Sequence, residues 1–286
     1  MQSLFNKFSL YLGMIKFSHS VFALPFAFTG ALLAANGLPA WNTVFWIAVA
    51  MVGARSGAMG LNRIIDRRID ANNPRTKNRE IPAGKISVRD AAIFTFVSFA
   101  LMVYAAYSLN ELCLMLSPVA ISVLFLYSYT KRFTWLSHFV LGISISAAPL
   151  GAWIAVRGSF DFEILPLALA VVFWLAGFDV LYALQDVEFD KRHGLHSIPQ
   201  QFGIKKSLSF ARIFHGITLI LFVLTGIIFN LNFLYWLGIL VVIGLVVYEH
   251  SLVKPDDLSK LNMAFFNMNG YISITVLVFT ALSLLM

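Results

Sequence analysis

The chain has 286 residues, 59% of them hydrophobic and only 12% charged, with a mean hydropathy of +0.80. That balance lies far outside the soluble globular range and marks an integral membrane protein. The formal net charge of +7 is gathered in a few loops and gives no reason to expect a nucleic-acid partner.

Apolar runs recur from residue 17 to the C-terminus, with no polar block long enough to fold outside the bilayer. We therefore expect one transmembrane domain over residues 1–286. The first run, 17–36, follows Lys7 and Lys16. The second, 42–62, is followed by Arg63, Arg67, Arg68, Arg75, Lys77, Arg79, Lys85 and Arg89. Runs at 90–108 and 112–130 lead to Lys131 and Arg132, and 136–156 leads to Arg157. The run 162–184 precedes Lys191, Arg192, Lys205 and Lys206. The last three, 207–229, 232–249 and 264–285, carry Arg212 at the start of the first and have Lys254 and Lys260 between the second and third.

This makes about nine spans of roughly 20 residues each. All these cations except Arg157 fall on one side of the bilayer, so the positive-inside rule puts the N-terminus and the long loops in the cytoplasm and sends the C-terminus out. A cleaved signal peptide over residues 1–35 is the competing reading of the first run, but no clear small-residue cleavage site precedes a soluble region. The single cysteine, Cys113, excludes an intrachain disulfide and a thiolate metal site, and is expected as a small buried hydrophobe.

Two acidic clusters stand where an apolar run meets a cytoplasmic loop. The first is Asn62, Asp66 and Asp70, within "NRIIDRRIDANNPRTKNREIPAG"; the second is Asp179, Tyr182, Asp186 and Asp190, within "FDVLYALQDVEFDKRHGLHSIPQQFG". Asp66 and Asp186 are 120 residues apart (186 − 66), as are Asp70 and Asp190 (190 − 70), with Tyr182 opposite Asn62. Each cluster runs on through cations to a proline, Pro82 or Pro199. Positions four apart drift only about 40° around a helix, so each cluster forms one stripe on a helix and its frayed end.

Ionised carboxylates at membrane depth are expensive and face a cavity or a partner. Two facing stripes from related halves would form a site at the repeat interface. Paired hard-oxygen ligands, with room left for phosphate oxygens, are how proteins hold magnesium on a diphosphate. The neighbouring cations would neutralise the rest of that group. For any single aspartate, the bland alternative is a solvated charge paired with a nearby arginine; four at matched spacing argue against it.

These residues resemble the UbiA family of intramembrane aromatic prenyltransferases, over essentially the whole chain. Asn62-x-x-x-Asp66-x-x-x-Asp70 is similar to the family's first aspartate-rich motif and Asp186-x-x-x-Asp190 to its second; "YSYTKR", Tyr127 to Arg132, is similar to the segment between them. The resemblance implies an all-α, polytopic fold of about nine transmembrane helices around a central cavity capped by cytoplasmic loops, in a bacterial cell (inner) membrane. It implies a polyprenyl diphosphate with its head among the aspartates and its tail in an apolar groove open to lipid. Mg2+ would be held by Asp66, Asp70, Asp186 and Asp190 with help from Asn62, and an aromatic acid acceptor would attack the allylic cation. Tyr127, Lys131 and Arg132 are expected at the diphosphate or acceptor, and Arg67 at the acceptor's carboxylate.

Other residues are singled out by position. Arg55 lies inside the second span, seven residues before Asn62 and on nearly the same face, where an unpaired charge is costly; we expect it to line the cavity. Lys16 and His19 stand at the mouth of the first span, as acceptor-entrance residues or as a snorkelling lysine and an interfacial histidine. The loop "NPRTKNREIPAG", with Arg75, Lys77 and Arg79, is punctuated by Pro74, Pro82 and Gly84 as a lid would be. Gly53, Ser56, Gly57 and Gly60 predict close helix packing.

The expected acceptor is 4-hydroxybenzoate, on a ubiquinone route. "MIKFSHSVFALPFAF" and Gln185 depart from the best-known members and leave a dihydroxynaphthoate, on a menaquinone route, as the alternative. An ion-coupled transporter is the rival from another class, although its polar groups would belong nearer the bilayer midplane in interrupted helices.

Overall fold

The computed structural model describes residues 9–16 and 23–286. His19, and the start of the first expected span, lie outside the described residues. The described chain is all-α. The helices are α1 (Leu24–Ala35), α2 (Trp41–Asn72), α3 (Val88–Leu109), α4 (Glu111–Thr130), α5 (Ser137–Arg157), α6 (Leu165–Ala183), α7 (Val187–His193), α8 (Ile198–Ile228), α9 (Phe233–Ser251) and α10 (Asn269–Leu285). Seven stretches are long and apolar enough to cross a membrane; α1 and α10 are shorter apolar helices.

Two boundaries differ from the sequence reading by nine residues or more. The helix of the first motif continues ten residues past the expected 62, to Asn72, because nothing in "RIIDRRIDAN" breaks it until Pro74. The helix of the seventh expected span, α8, begins at Ile198 instead of 207. Ser197 caps it by accepting from the Gln200 backbone N–H, Pro199 sits in its first turn, and Gly203 interrupts it with φ 80°. A left-handed break of this kind is tolerated by glycine.

Chain neighbours pack as antiparallel pairs. α2 lies against α3, α5 against α6, α6 against α8, and α9 against α10; α1 packs on α5 and α10, which closes the bundle. Gly53 shows why α2 and α3 come so close: a Cβ there would stand 2.8 Å from both Met102 N and Ser98 O. The small-residue spacing predicted this contact.

The densest core lies between α1, α5, α6, α8, α9 and α10, around Phe26, Trp153, Trp174, Phe222 and Tyr235. Phe26 meets Trp174 edge-on at 4.9 Å between ring centroids. The Tyr235 hydroxyl donates to the Phe222 carbonyl at 2.8 Å, satisfying the phenol where no water reaches. Elsewhere large apolar side chains such as Phe96, Tyr107 and Val119 face outward, as a lipid solvent requires.

Hydrogen bonds between connections fix two ends of the bundle. At one end the His196 N–H donates to the Lys131 carbonyl at 2.7 Å. At the other, Asn110 Nδ2 donates to the Ile154 carbonyl at 2.8 Å and Asn232 Nδ2 to the Ser283 carbonyl at 3.0 Å. The first end carries the aspartate clusters and their basic loops.

Candidate active site

An internal cavity of about 650 Å³ opens beneath that end, lined by Arg55, Asn62 and Arg63 of α2, Tyr127 of α4, and Asp179 and Tyr182 of α6. Lys16 also borders it. The motif aspartates are not in its lining, but three of them bond to it: Asp66 to Asn62, Asp70 to Arg79, and Asp186, through Arg75, to Tyr182.

The first motif is buried and already occupied by its own cations. Asp66 is 1% exposed. Its Oδ1 accepts from Arg132 Nη2 at 2.8 Å; its Oδ2 accepts from Lys131 Nζ and, at 3.3 Å, from Asn62 Nδ2. Arg132 is held in turn by the Ser128 carbonyl at 2.7 Å, so the guanidinium is positioned and not merely nearby. Asp70 Oδ1 accepts from Arg79 Nη1 at 2.7 Å. Its other oxygen, Oδ2, is buried and lacks a hydrogen-bond partner, although a buried anion ordinarily fills its acceptor sites.

The second motif is reached by the loop that follows the first. Arg75 grips Asp186 with two nitrogens, Nε to Oδ1 at 3.0 Å and Nη2 to Oδ2 at 2.5 Å, while Nη1 donates to the Tyr182 hydroxyl at 2.8 Å. Asn73 Nδ2 adds a bond to Asp186 Oδ1 at 3.0 Å. Asp190 Oδ2 accepts from Ser197 Oγ at 3.1 Å. The bidentate fork between Arg75 and Asp186 therefore ties one half of the sequence repeat to the other.

Among the described residues, no three acidic, histidine or cysteine groups are gathered as a ready-made metal cage. What the mouth offers is different: hard oxygen donors in two pairs, one of them an unsatisfied buried carboxylate oxygen. That donor set fits a magnesium ion that keeps most of its coordination for water and phosphate oxygens. Burial first, then the neighbouring Arg79, Arg63 and Arg75, hold the Lys16 ammonium down to about 8 from its ordinary 10.5, against a smaller opposing pull from Glu80.

Arg55 stands in the cavity wall, as expected, with its Nε buried and unpartnered. Arg67 is not in that wall: its guanidinium donates to the Ile64 carbonyl at 2.8 Å, on the flank of its own helix. Residue 67 is turned about 100° from Asp66, and Arg63 takes the inward place, 3% exposed, with Nε donating to the Met14 carbonyl at 3.2 Å. The sequence carried that signal, since Arg63 precedes Asp66 and Asp70 by three and seven residues on one helical face. Three further residues were missed. Asn73 and Ser197 touch motif carboxylates, and His138 donates through Nδ1 to Asp179 Oδ2 at 2.7 Å. No spacing in the sequence links residue 138 to residue 179.

The bundle defines a polytopic α-helical membrane protein with a charged cluster above an internal, largely apolar cavity. The chain belongs to the UbiA prenyltransferase family, whose profile matches residues 23–271; it is a prenyltransferase. It is 31% identical over 251 residues to the 4-hydroxybenzoate octaprenyltransferase of Aliivibrio fischeri (strain MJ11), covering 88% of this chain and 86% of that one. Its fold is similar to that of a UbiA homolog from Aeropyrum pernix K1, with a TM-score of 0.81 and 28% identity over 93% of this chain and 97% of that one. It is also similar in fold to a UbiA homolog from Archaeoglobus fulgidus bound to DMAPP and Mg2+, with a TM-score of 0.71 and 19% identity over 96% and 98% of the two chains.

Proposed function

We propose that this protein transfers a polyprenyl group from polyprenyl diphosphate to a hydroxylated aromatic acid, 4-hydroxybenzoate, in respiratory quinone (ubiquinone) biosynthesis, with its N-terminus and active-site loops on the cytoplasmic face of the bacterial inner membrane. The observation that carries this reading is the pairing of a cation-rich cluster with Arg55, whose buried Nε has no partner among the described residues, in the wall of the cavity below it. A diphosphate and a carboxylate are two anions, and this cavity has one basic locus for each.

In this reading Asp66, Asp70, Asp186 and Asp190, with Asn62, would hold Mg2+, which would supply charge neutralisation for the leaving diphosphate. Lys131, Arg132, Arg75 and Arg79 exchange their carboxylates for phosphate oxygens, so the cations that balance the resting aspartates become the ones that stabilise the leaving group. Arg55 takes the acceptor's carboxylate, with Arg63, Lys16, Tyr127 and Tyr182 completing the wall between the two loci. The apolar walls exclude water from the allylic cation until the ring attacks.

One side of the cavity is apolar. Leu116 and Val119 of α4 and Ile143 of α5 border it, yet are 39%, 57% and 51% exposed. The wall therefore has an apolar gap between α4 and α5, which supports a tail running out into lipid.

The test is pyrophosphate release by purified protein with magnesium and a long polyprenyl diphosphate, offered 4-hydroxybenzoate or 1,4-dihydroxy-6-naphthoate. Release that depends on 4-hydroxybenzoate and falls at least about 100-fold in Asp66→Ala is expected, since a preorganised electrostatic contact is worth this much. Release only with the naphthoate would move the enzyme to the menaquinone route. Failure to bind the diphosphate would overturn the reading in favour of transport.

A further inference from the structure

Electrophilic substitution on an arene needs a base to remove the ring proton once the new carbon–carbon bond has formed. Among the described residues bordering the cavity, Asp179 is the only carboxylate. It stands seven residues before Asp186 on the same helical stripe, about 10 Å below the motif by helix rise, and Arg55 stands at the same remove from Asn62. By helix rise Asp179 thus lies at about the depth of Arg55, below the motif aspartates. In contrast to Asp66, Asp70 and Asp186, it is not held by arginine or lysine.

Among the described residues its one hydrogen bond comes from His138, and the contacts of that histidine fix its tautomer. The backbone N–H of Ile198 donates to His138 Nε2 at 3.2 Å. An N–H can only donate, so Nε2 is the unprotonated nitrogen and Nδ1 carries the hydrogen, which it gives to Asp179 Oδ2 at 2.7 Å. His138 is 3% exposed at its side chain and Asp179 is 23% exposed, toward the cavity. The neutral imidazole holds one carboxylate oxygen and leaves Oδ1 for the substrate. Ile198 opens α8 directly after Ser197, the residue bonded to Asp190, so the imidazole is set by the same turn that sets the second motif.

Building on the function proposed above, we infer that Asp179 is the catalytic base that removes the ring proton, and that His138 is the residue that positions it. The diphosphate leaves with the electron pair of the broken C–O bond, and the ring's π pair forms the bond to the allylic carbon. The C–H bond at the alkylated ring carbon then breaks; its pair restores aromaticity and its proton goes to Asp179 Oδ1.

The test compares 4-hydroxybenzoate with its 3,5-dideuterated form, in wild type, Asp179→Asn, His138→Ala and His138→Asn. Wild type is expected to show little isotope effect, because ionisation is slower than proton loss. Asp179→Asn is expected to lose about 100-fold or more in kcat, the typical contribution of a general base, and to gain a primary deuterium isotope effect with KM for the diphosphate unchanged. His138→Ala should show a smaller loss with the same isotope effect, and His138→Asn, whose amide can stand in for the Nδ1 donor, should recover.

A kcat loss in Asp179→Asn without an isotope effect, or kcat within about twofold of wild type, would overturn the inference. If Asp179→Asn no longer binds the diphosphate, the His138 pair decides: an isotope effect in His138→Ala that His138→Asn abolishes upholds the base, and none in either overturns it. Lack of acceptor-dependent turnover in wild type would instead count against the underlying functional reading.

Discussion

The charge state of single residues sets how this mouth meets an anion. Lys16 borders the cavity and is held down to about 8 by burial and by three arginines. As pH rises through 8 the free enzyme loses this ammonium, while the unfolded chain keeps its proton until near 10.5. Below 8 the lysine is charged in both states and the burial cost is fully present; between 8 and 10.5 the native state is relieved of it, so stability rises with pH while anion attraction falls. Accordingly kcat/KM for the anionic substrates, which reports free-enzyme ionisations, should decline above about pH 8 in wild type. Lys16→Gln should be several-fold lower at pH 7 and flat across that window. At this scale the sequence was only half legible. The aspartates stand out by repeat and spacing, but Arg67, expected at the acceptor's carboxylate by resemblance, lies on the flank of its helix, and helical geometry gives the inward position to Arg63. His138 was invisible because its partner lies 41 residues away on another helix.

Helices were more legible, because a membrane span writes its own length in apolar residues. The parts that escaped were polar ends: the extra turns of α2 to Asn72 and the capped start of α8 at Ile198. Hydropathy stops where lipid stops, whereas the hydrogen-bonded helix goes on. The small-residue pattern in α2 did translate into contact. Gly53→Ala would drive a methyl into the α3 backbone, where nothing flexible can yield, and overpacking of this kind costs about 1–3 kcal/mol, more than the roughly 1 kcal/mol gained in helix propensity. Gly244→Ala, in α9, meets no atom within 4 Å. Thermal unfolding in detergent should therefore show a lowered midpoint for Gly53→Ala and an unchanged or raised one for Gly244→Ala.

For the molecule as a whole, the repeat in the sequence corresponds to two ends of one clasp. Arg75 reaches from the loop after the first motif to Asp186 and Tyr182 of the second, so the loop over 73–87 is tied down. Lys77 in that loop is exposed. Trypsin should cut at Lys77 faster in Arg75→Gln than in wild type. Equal cleavage rates in the two proteins would show that the fork does not hold the loop. The sequence suggested a lid from its prolines and cations, but not which carboxylate fastens it, since that choice depends on how the halves close in space.

The gap between α4 and α5 carries a consequence for the division of labour in the membrane. A protein that encloses a head group and leaves the tail among the lipids has no ruler. Its substrate diffuses to it in two dimensions, reacts without leaving the leaflet, and departs as a more apolar molecule by the same route. On the function proposed above, the number of isoprene units in the product would then be fixed upstream, by whichever enzyme builds the diphosphate.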